Sequence, residues 1–500
     1  MADTAADAAI LDPVLARLRA VLEAQRADFL RDLPVAARVR EDRVDRGLAM
    51  LMAHRERLLD AVLQDFPVRG REWTTIAELF APTQVFLDCR KQVRRWMRPE
   101  RRRAPQPFRL FGATAEVQYQ PLGVVGIMGA WNGPLNLVIV PLALALAAGN
   151  RAMLCPSDMM PSLAQALDDA VRAYFEPEEV AVARGGLEVA KAFAKLPFDH
   201  LLFTGSPPVG AQVMAQAAPN LVPVTLELGG KCPVIVAPDA DIADTAKALV
   251  ATKTMNGGQA CLAPDLLFVP RAQCDALVAA LDAESAALYP RAAHHPAWCG
   301  LVNERHFQRV ESLVEQARQA GARVEAVGLG GDPAAARDPA HRRLALHLVI
   351  DPPAESRALH EEIFGPVLTV LTYDDLDAVC TRLRAMPKPL GLYVFSRDAA
   401  TTRFVLDRTF SGGVTVNDAL FHYTVPDLPF GGVGRSGMGA YSFGIEGFRR
   451  FSHARSVYRQ AGPRSLLRVM QPPYTTLYDW LVRREMDRLA ARTARIRPLR

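Results

Sequence analysis

Lysine is scarce in this chain. Only seven of the 59 basic residues are lysine, a bias that reflects base composition more than function. Excess charge of one sign is missing too. A net charge of +5 over 500 residues is too mild to argue for nucleic acid as a partner. Cysteines are few and odd in number: Cys89, Cys155, Cys232, Cys261, Cys274, Cys299 and Cys380, with no CxxC pair. That pattern argues against a disulfide framework or a zinc site and favours a reducing, cytoplasmic setting. The ten histidines show no HExxH spacing, and no GxSxG elbow occurs, so neither a zincin nor a serine-hydrolase reading has support and no metal site is expected. Asp3 and Asp7 precede no apolar core, so no signal peptide is expected. A clean membrane span is also lacking. Val117 to Asn150 carries no charge, but Pro121, Gly129, Asn132, Pro134, Asn136 and Pro141 interrupt it. A span needs about 20 apolar residues. This stretch therefore predicts a buried strand, a loop and a buried helix.

What is present is ordinary for a globular protein of two or three domains: half the residues are hydrophobic and 23% are charged. Residues 13 to 100 predict helices, with Val14, Leu15, Leu18, Val21 and Leu22 at helical spacing. Arg90 to Arg103 holds eight basic residues and one acid, which reads as a solvated helix face rather than a basic groove. Residues 108 to 120 predict a short hairpin or edge strand. From 121 to 226 apolar strands alternate with helices. The strands are Leu122–Met128, Ala152–Leu154, Val180–Ala183, His200–Phe203 and Val222–Leu226; the helices include Ser162–Phe175 and Val209–Ala217. Such alternation predicts a parallel sheet covered on both faces. A second alternating block over 231–418 predicts strands at Pro233–Ala237, Leu266–Val269, Val367–Tyr373, Gly391–Phe395 and Gly413–Val416.

Ligands bind such sheets beyond the carboxyl ends of the strands. Three ends stand out. Trp131-Asn132 offers a side-chain amide that could hold an oxyanion, or a satisfied buried Asn. Phe203-Thr204-Gly205-Ser206 precedes a helix whose N-terminus could take a pyrophosphate, although Pro207 and Pro208 remove two N–H donors. Glu227, before Leu228-Gly229-Gly230-Lys231, is a glutamate after an apolar run, either a general base or a strand end reaching solvent. A fourth stretch, Asn256-Gly257-Gly258-Gln259-Ala260-Cys261-Leu262-Ala263-Pro264, puts a thiol on a glycine-rich loop. Most lone intracellular cysteines are small buried hydrophobes. Together with Glu227 and Asn132, however, Cys261 completes an acyl-transfer set of nucleophile, base and oxyanion donor. Gly432-Val433-Gly434-Arg435-Ser436-Gly437 spells GxGxxG. No apolar strand leads into it and no clear helix follows, so it predicts a loop rather than a dinucleotide site.

These residues resemble the NAD(P)-dependent aldehyde dehydrogenases, in particular the class 3-like branch that includes coniferyl aldehyde dehydrogenases. The likeness runs from about residue 20 to 480. It is carried by Pro121-Leu122-Gly123-Val124-Val125, Trp131-Asn132-Gly133-Pro134, Phe203-Thr204-Gly205-Ser206, Glu227-Leu228-Gly229-Gly230-Lys231, Gly258-Gln259-Ala260-Cys261, Glu362-Ile363-Phe364-Gly365-Pro366 and Pro429-Phe430-Gly431-Gly432. Phe29-Leu30-Arg31-Asp32 and Arg94-Arg95-Trp96-Met97-Arg98-Pro99 resemble the coniferyl aldehyde branch.

The resemblance implies an α/β aldehyde dehydrogenase-like fold. A Rossmann-type parallel-sheet cofactor domain would span 1–105 and 121–229, an α/β catalytic domain 230–420, and a small oligomerisation element 106–120 and 421–500. It implies Cys261 as nucleophile, Asn132 and the Cys261 N–H as oxyanion donors, and Glu227 as activator of the hydrolytic water. Cofactor contacts are implied at Trp131, Ser157, Asp158, Gly205, Ser206, Gly210, Leu228, Glu362 and Phe364. It implies NAD as cofactor, with NADP an alternative, an aldehyde substrate and a homodimer.

Two departures bear on this. Cys155-Pro156-Ser157-Asp158 stands where the family usually has Lys-Pro-Ser-Glu, so the lysine that binds the adenosine ribose is missing. The Asp158 carboxylate disfavours a 2′-phosphate and points to NAD. Tyr441-Ser442-Phe443-Gly444 replaces the branch's Tyr-His-Gly near the substrate mouth and is one residue longer. The expected reaction is oxidation of an aromatic aldehyde to its acid. Alternatives are a long-chain or other aliphatic aldehyde, or a dehydrogenase-like protein with impaired cofactor binding. Retention of Glu227 weighs against a CoA-acylating enzyme.

Overall fold

Helices open the chain. In the computed structural model, which describes residues 2–105, 108–439, 442–460, 471–474 and 476–496, they run over Ala2–Arg31, Ala37–Asp65 and Ala81–Trp96. The second buries Val44, Met50, Leu51, Leu58, Leu59 and Val62 along one side. Two basic residues on the exposed side of the third are paired: Arg90 meets Asp45 at 2.8 Å, and Arg94 meets Glu41.

A buried ionic network ties these helices to the sheet beneath them. Arg151, fully buried, reaches Asp28 at 2.6 Å and Asp32 at 2.9 Å. Arg43 joins Asp32 and Glu179, both at 2.9 Å, and Arg46 adds a second cation to Glu179 at 2.7 Å. Burial alone would raise the Glu179 carboxyl, but hydrogen bonds from Arg46 and Arg43 outweigh it and hold the group down to about 2.

The chain divides into two units, Met1–Trp96 with Pro121–Ser452, and Met97–Gln120 with His453–Arg500. The first unit holds two large sheets. One has six strands in the order Gly437–Met438, Val224–Leu228, His200–Gly205, Val124–Met128, Arg151–Cys155 and Val180–Val182. All pair in parallel except the Gly437–Met438 edge. The chain passes from Val124–Met128 outward to one side, then returns to add His200–Gly205 on the other. That reversal makes a crevice beyond the carboxyl ends of these two strands.

The other sheet has seven strands: Arg323–Val327, Leu346–Ile350, Val367–Tyr373, Pro264–Pro270, Cys232–Val236, Gly391–Phe395 and Gly413–Val416. Only the Arg323–Val327 edge is antiparallel. Its core includes Val234, Leu249, Leu267, Leu348, Leu368 and Tyr393. The charge-free stretch before Asn150 forms the expected buried strand and buried helix, the helix being Asn136–Ala148. Among the described residues no helix is long and apolar enough to cross a membrane.

In the second unit, Glu100–Arg102, Thr114–Pro121 and Ser452–Arg459 form a three-stranded sheet, the first two as an antiparallel pair. The hairpin or edge strand expected within 108–120 is not formed: Phe108–Phe111 is a helical turn, and the one strand, Thr114–Pro121, is the middle strand of this sheet.

Some boundaries differ from expectation. The strand carrying Glu227 runs Val224–Leu228, two residues later than the apolar run at 222. Gly123 has φ 140°, and Asn150 Oδ1 accepts from the Leu122 and Gly123 amides, so the first strand starts at Val124. Within the seven-stranded sheet, Arg323–Val327 and Leu346–Ile350 were not expected; elsewhere, nor were Glu100–Arg102, Gly437–Met438 and Ser452–Arg459.

Candidate active site

The loop at Cys261 is shaped by consecutive left-handed residues. Asn256, Gly257 and Gly258 have φ of 52°, 62° and 73°. A Cβ on Gly258 would lie 2.3 Å from the Gly365 carbonyl oxygen. Glycine is therefore required there for both conformation and space. The turn is held from within. Gln259 Nε2 donates to the Asn256 carbonyl at 2.7 Å and to that of Gly300 at 3.0 Å, while its Oε1 accepts from Val302 N at 2.9 Å.

Asn132 is docked on this loop. Its Nδ2 donates to the Gln259 carbonyl at 3.3 Å, and its own carbonyl accepts from Asn256 Nδ2 at 3.2 Å. The amide predicted at one strand end thus meets the thiol loop predicted 129 residues later.

Cys261 is half-buried at the amino end of the strand Pro264–Pro270. Burial, then the nearby Glu362 and Glu227 carboxylates, push its thiol up to about 12, partly countered by the backbone N–H groups of Cys261 and Leu262. The Cys261 carbonyl accepts from Cys232 Sγ at 3.2 Å. A thiol in this setting is protonated at neutrality and needs a proton acceptor before it can attack.

Glu227 lies on the six-stranded sheet, opposite Thr204 and Gly437 on the neighbouring strands. It is 9% exposed. Its Oε1 accepts from Arg450 Nη2 at 2.9 Å and from Ser442 Oγ at 3.2 Å. Its Oε2 is buried with no partner among the described residues. Burial raises the carboxyl, and Arg450 and Ser442 oppose that rise.

The expected cofactor residues lie around the crevice. His200–Gly205 ends at Gly205, and Ser206 caps the helix Pro207–Ala217 in extended conformation with its hydroxyl unused in the cap. Gly210 N is the first amide bonded back into that helix, to Ser206 O at 2.9 Å. With two prolines ahead of it, Val209 keeps the one free N–H of the first turn. Leu228 pairs with Gly205 across the sheet. Ser157 and the exposed Asp158 follow the strand Arg151–Cys155, whose Cys155 pairs with Met128 next door.

Glu362 reaches the backbone after Glu227: a Cβ on Gly229 would sit 2.3 Å from its Oε2. Burial, then Asp265, raise the Glu362 carboxyl to about 8, while the Gly230 amide, Lys231 and Lys253 oppose the rise. Phe364 takes a positive φ of 48° and stands edge-on to Trp131 at 5.4 Å. These features suit a dinucleotide: an unused hydroxyl beside a helix start, an aromatic pair, and a carboxylate held against backbone.

Some site residues had no individual role assigned from sequence. Tyr423, Phe430 and Phe443 form an aromatic wall, with ring centroids 5.1 Å apart for Tyr423–Phe430 and Tyr423–Phe443, and Cys261 packs against the same core. Lys253 is buried beside Asp265, Lys231 and Glu362 and falls to about 8, mainly through burial. Arg450 is 4% exposed and 223 residues from the Glu227 it pairs with. The GxGxxG at 432–437 is a tight turn as expected: Ser436 O accepts from Leu228 N at 3.0 Å, and Gly437–Met438 flanks the Glu227 strand. Of the altered segment at 441–444, Tyr441 lies outside the described residues, and Ser442 takes part in the Glu227 cluster.

Known proteins share this fold and much of this sequence. Residues 19–457 match the model of the aldehyde dehydrogenase family. A probable coniferyl aldehyde dehydrogenase of Caulobacter vibrioides is 43% identical over 88% of this chain and 90% of its own length. The coniferyl aldehyde dehydrogenase of Pseudomonas sp. strain HR199 is 42% identical, covering 92% of this chain and 94% of its own. The substrate-bound state of Staphylococcus aureus AldH superposes with a TM-score of 0.86 at 31% identity, over 93% of this chain and 98% of that one. By sequence, by fold and by the residues gathered around Cys261, the chain belongs to the aldehyde dehydrogenase family.

Proposed function

We propose that this enzyme oxidises an aromatic, coniferyl aldehyde-like substrate to its carboxylic acid with NAD. The observation that carries the reading is the meeting of Cys261, the Asn132 amide and Glu227 in one unit beside an aromatic wall. Cys261 Sγ, once its proton has passed to solvent, bonds to the aldehyde carbon. The Asn132 Nδ2–H and the Cys261 N–H stabilise the oxyanion of the resulting thiohemiacetal; one such donor is typically worth about 10²–10³ in rate. NAD supplies the hydride acceptor. Oxidation leaves an acyl thioester on Cys261. Glu227 takes a proton from water, which releases the acid and frees the thiol.

For the cofactor, Ser206 and Val209 N–H would meet the pyrophosphate, Glu362, Phe364 and Trp131 the nicotinamide end, and Ser157 and Asp158 the ribose. Gly205, Gly210 and Leu228 would shape the crevice floor. The exposed Asp158 carboxylate favours NAD over NADP. Substrate choice is supported by Tyr423, Phe430 and Phe443 and by the two coniferyl aldehyde dehydrogenases that resemble the chain.

We assign cofactor binding to 1–105 and 121–229, the nucleophile to 230–420, and oligomerisation to 106–120 with 421–500. Residues 421–452 also belong to the first compact unit, so that stretch serves the site as well. A homodimer in the cytoplasm is the assembly we favour, in keeping with cysteines that are all free thiols.

The test is direct. The protein is mixed with NAD and coniferyl aldehyde, and NADH absorbance is followed; Cys261→Ala is expected to abolish turnover and keep cofactor binding. A faster rate on alkyl than on cinnamyl-type aldehydes moves the substrate assignment to aliphatic aldehydes. No NADH from a broad panel, at millimolar NAD or NADP, removes the activity altogether.

A further inference from the structure

The cluster at Glu227 contains more than a base. One carboxylate oxygen, Oε1, takes both hydrogen bonds, from Arg450 Nη2 and Ser442 Oγ. Arg450 also bonds to Ser442, closing a three-membered set. The other oxygen, Oε2, is buried and unpartnered among the described residues. All three side chains are 9% exposed or less. Arg450 Nε has no partner there either, so Glu227 is the only anion paired to this cation among the described residues.

We propose that Arg450 and Ser442 are positioning residues for thioester hydrolysis: they hold Glu227 by one oxygen and favour its ionised form, leaving the other to bind the attacking water. This rests on Glu227 as the water-activating base. A carboxylate buried without a cation takes up a proton and cannot act as a base. A carboxylate whose two oxygens both accept from clamping donors keeps fewer lone pairs to orient water. The clamp avoids both problems.

The other groups around the cluster do not replace Arg450. Cys261 and Tyr423 face Glu227 from the thiol loop and the turn Phe421–Thr424, and both are neutral acids pushed up by burial. His200, on the adjacent strand, donates to or accepts from Thr225 Oγ1 at 3.0 Å. Burial, then Arg450, bring it down to about 3, so it carries no charge at neutrality. The edge strand Gly437–Met438 brings no ionisable side chain. Arg450 is therefore the one cation facing Glu227 among the described residues.

The experiment separates acylation from hydrolysis by pre-steady-state NADH formation across pH. In Arg450→Met we expect the NADH burst to survive, and the acid limb of steady-state kcat to move up by about one unit or more, which is roughly tenfold in rate at neutral pH. The rate should recover toward pH 9. Arg450→Lys, which keeps the charge, should bring the limb back toward wild type. Ser442→Ala should move it upward by less. If Arg450→Met does not fold, Ser442→Ala and Arg450→Lys decide. An acid limb unmoved in Ser442→Ala and in every folded Arg450 variant overturns the proposal. So does a limb displaced as far in Arg450→Lys as in Arg450→Met, or a burst lost in step with the steady state. Glu227→Gln isolates the underlying reading. That variant should burst and then stall; if it keeps a full steady-state rate, Glu227 itself leaves the mechanism.

Discussion

Cys155 is the residue at which this chain departs most from what its resemblance implies. It ends a buried strand, is 4% exposed, and burial pushes its thiol up to about 12. It is a neutral, inert side chain in the place of a cation. With the ribose placed at Ser157 and Asp158 as proposed, its acceptors remain and a charged donor is missing. A charge-assisted hydrogen bond is worth about 1.5–3 kcal/mol, or roughly tenfold or more in affinity. Cys155→Lys is expected to lower the Kd for NAD by at least that factor in isothermal titration. An unchanged Kd would show that Ser157 and Asp158 meet the ribose without help from this position.

At the scale of elements, two features carry predictions. The thiol loop depends on its left-handed turn. Gly258→Ala adds a Cβ where the Gly365 carbonyl already stands and imposes strain of about 1–3 kcal/mol. It should lower Tm and reduce acylation, read as a smaller NADH burst, because Cys261 follows three residues on. The second feature is the ionic tie between the opening helices and the sheet. Removing one partner of a buried ion pair costs about 3–5 kcal/mol, with less expected here because Glu179 is partly exposed. Glu179 sits at about 2 when folded against an ordinary 4.5. Its stabilisation is therefore present above pH 4.5 and lost as pH falls toward 2. Urea unfolding should find Glu179→Gln less stable than wild type at pH 6, with the gap closing at pH 3.

These elements also show what a sequence can and cannot reveal. Val367–Tyr373 and Gly391–Phe395 have the boundaries expected of them, because strands buried on both faces read as unbroken apolar runs; the half-buried edge strand Gly413–Val416 keeps its expected bounds as well. Arg323–Val327 is an edge strand with Arg323 and Glu325 on its outer side, and that mixed pattern hid it. Leu346–Ile350 carries a buried His347 in a short run that periodicity cannot assign. The same logic applies in the site. Cys261, Glu227 and Asn132 lie at ends of readable elements. Arg450 follows another arginine at the end of a short helix, and its meaning comes only from a partner on a distant strand.

At the scale of the whole molecule, the proposed cofactor and partner can be tested without turnover. NAD at about 100 times its Kd should stabilise the fold by roughly 2.7 kcal/mol and raise Tm by a few degrees. No shift at millimolar NAD would instead favour a binding site that has decayed. Sedimentation should give a mass twice the 54.7 kDa of one chain if the homodimer is correct.

The pairing of Glu227 with Arg450 has one more consequence, and it concerns synthesis. Asn132, Glu227 and Cys261 all leave the ribosome before residue 262. The short strand Gly437–Met438 that flanks Glu227 begins 176 residues after Cys261, and the guanidinium that clamps it comes 189 residues after. A chain still being made can hold its thiol loop and both sheets in part, yet its base stays unclamped until about nine-tenths of the protein exists. Contacts this distant in sequence also close late in folding. Competence for hydrolysis should therefore arrive after competence for acylation, and a nascent or C-terminally shortened chain would trap aldehydes as thioesters rather than release them as acids.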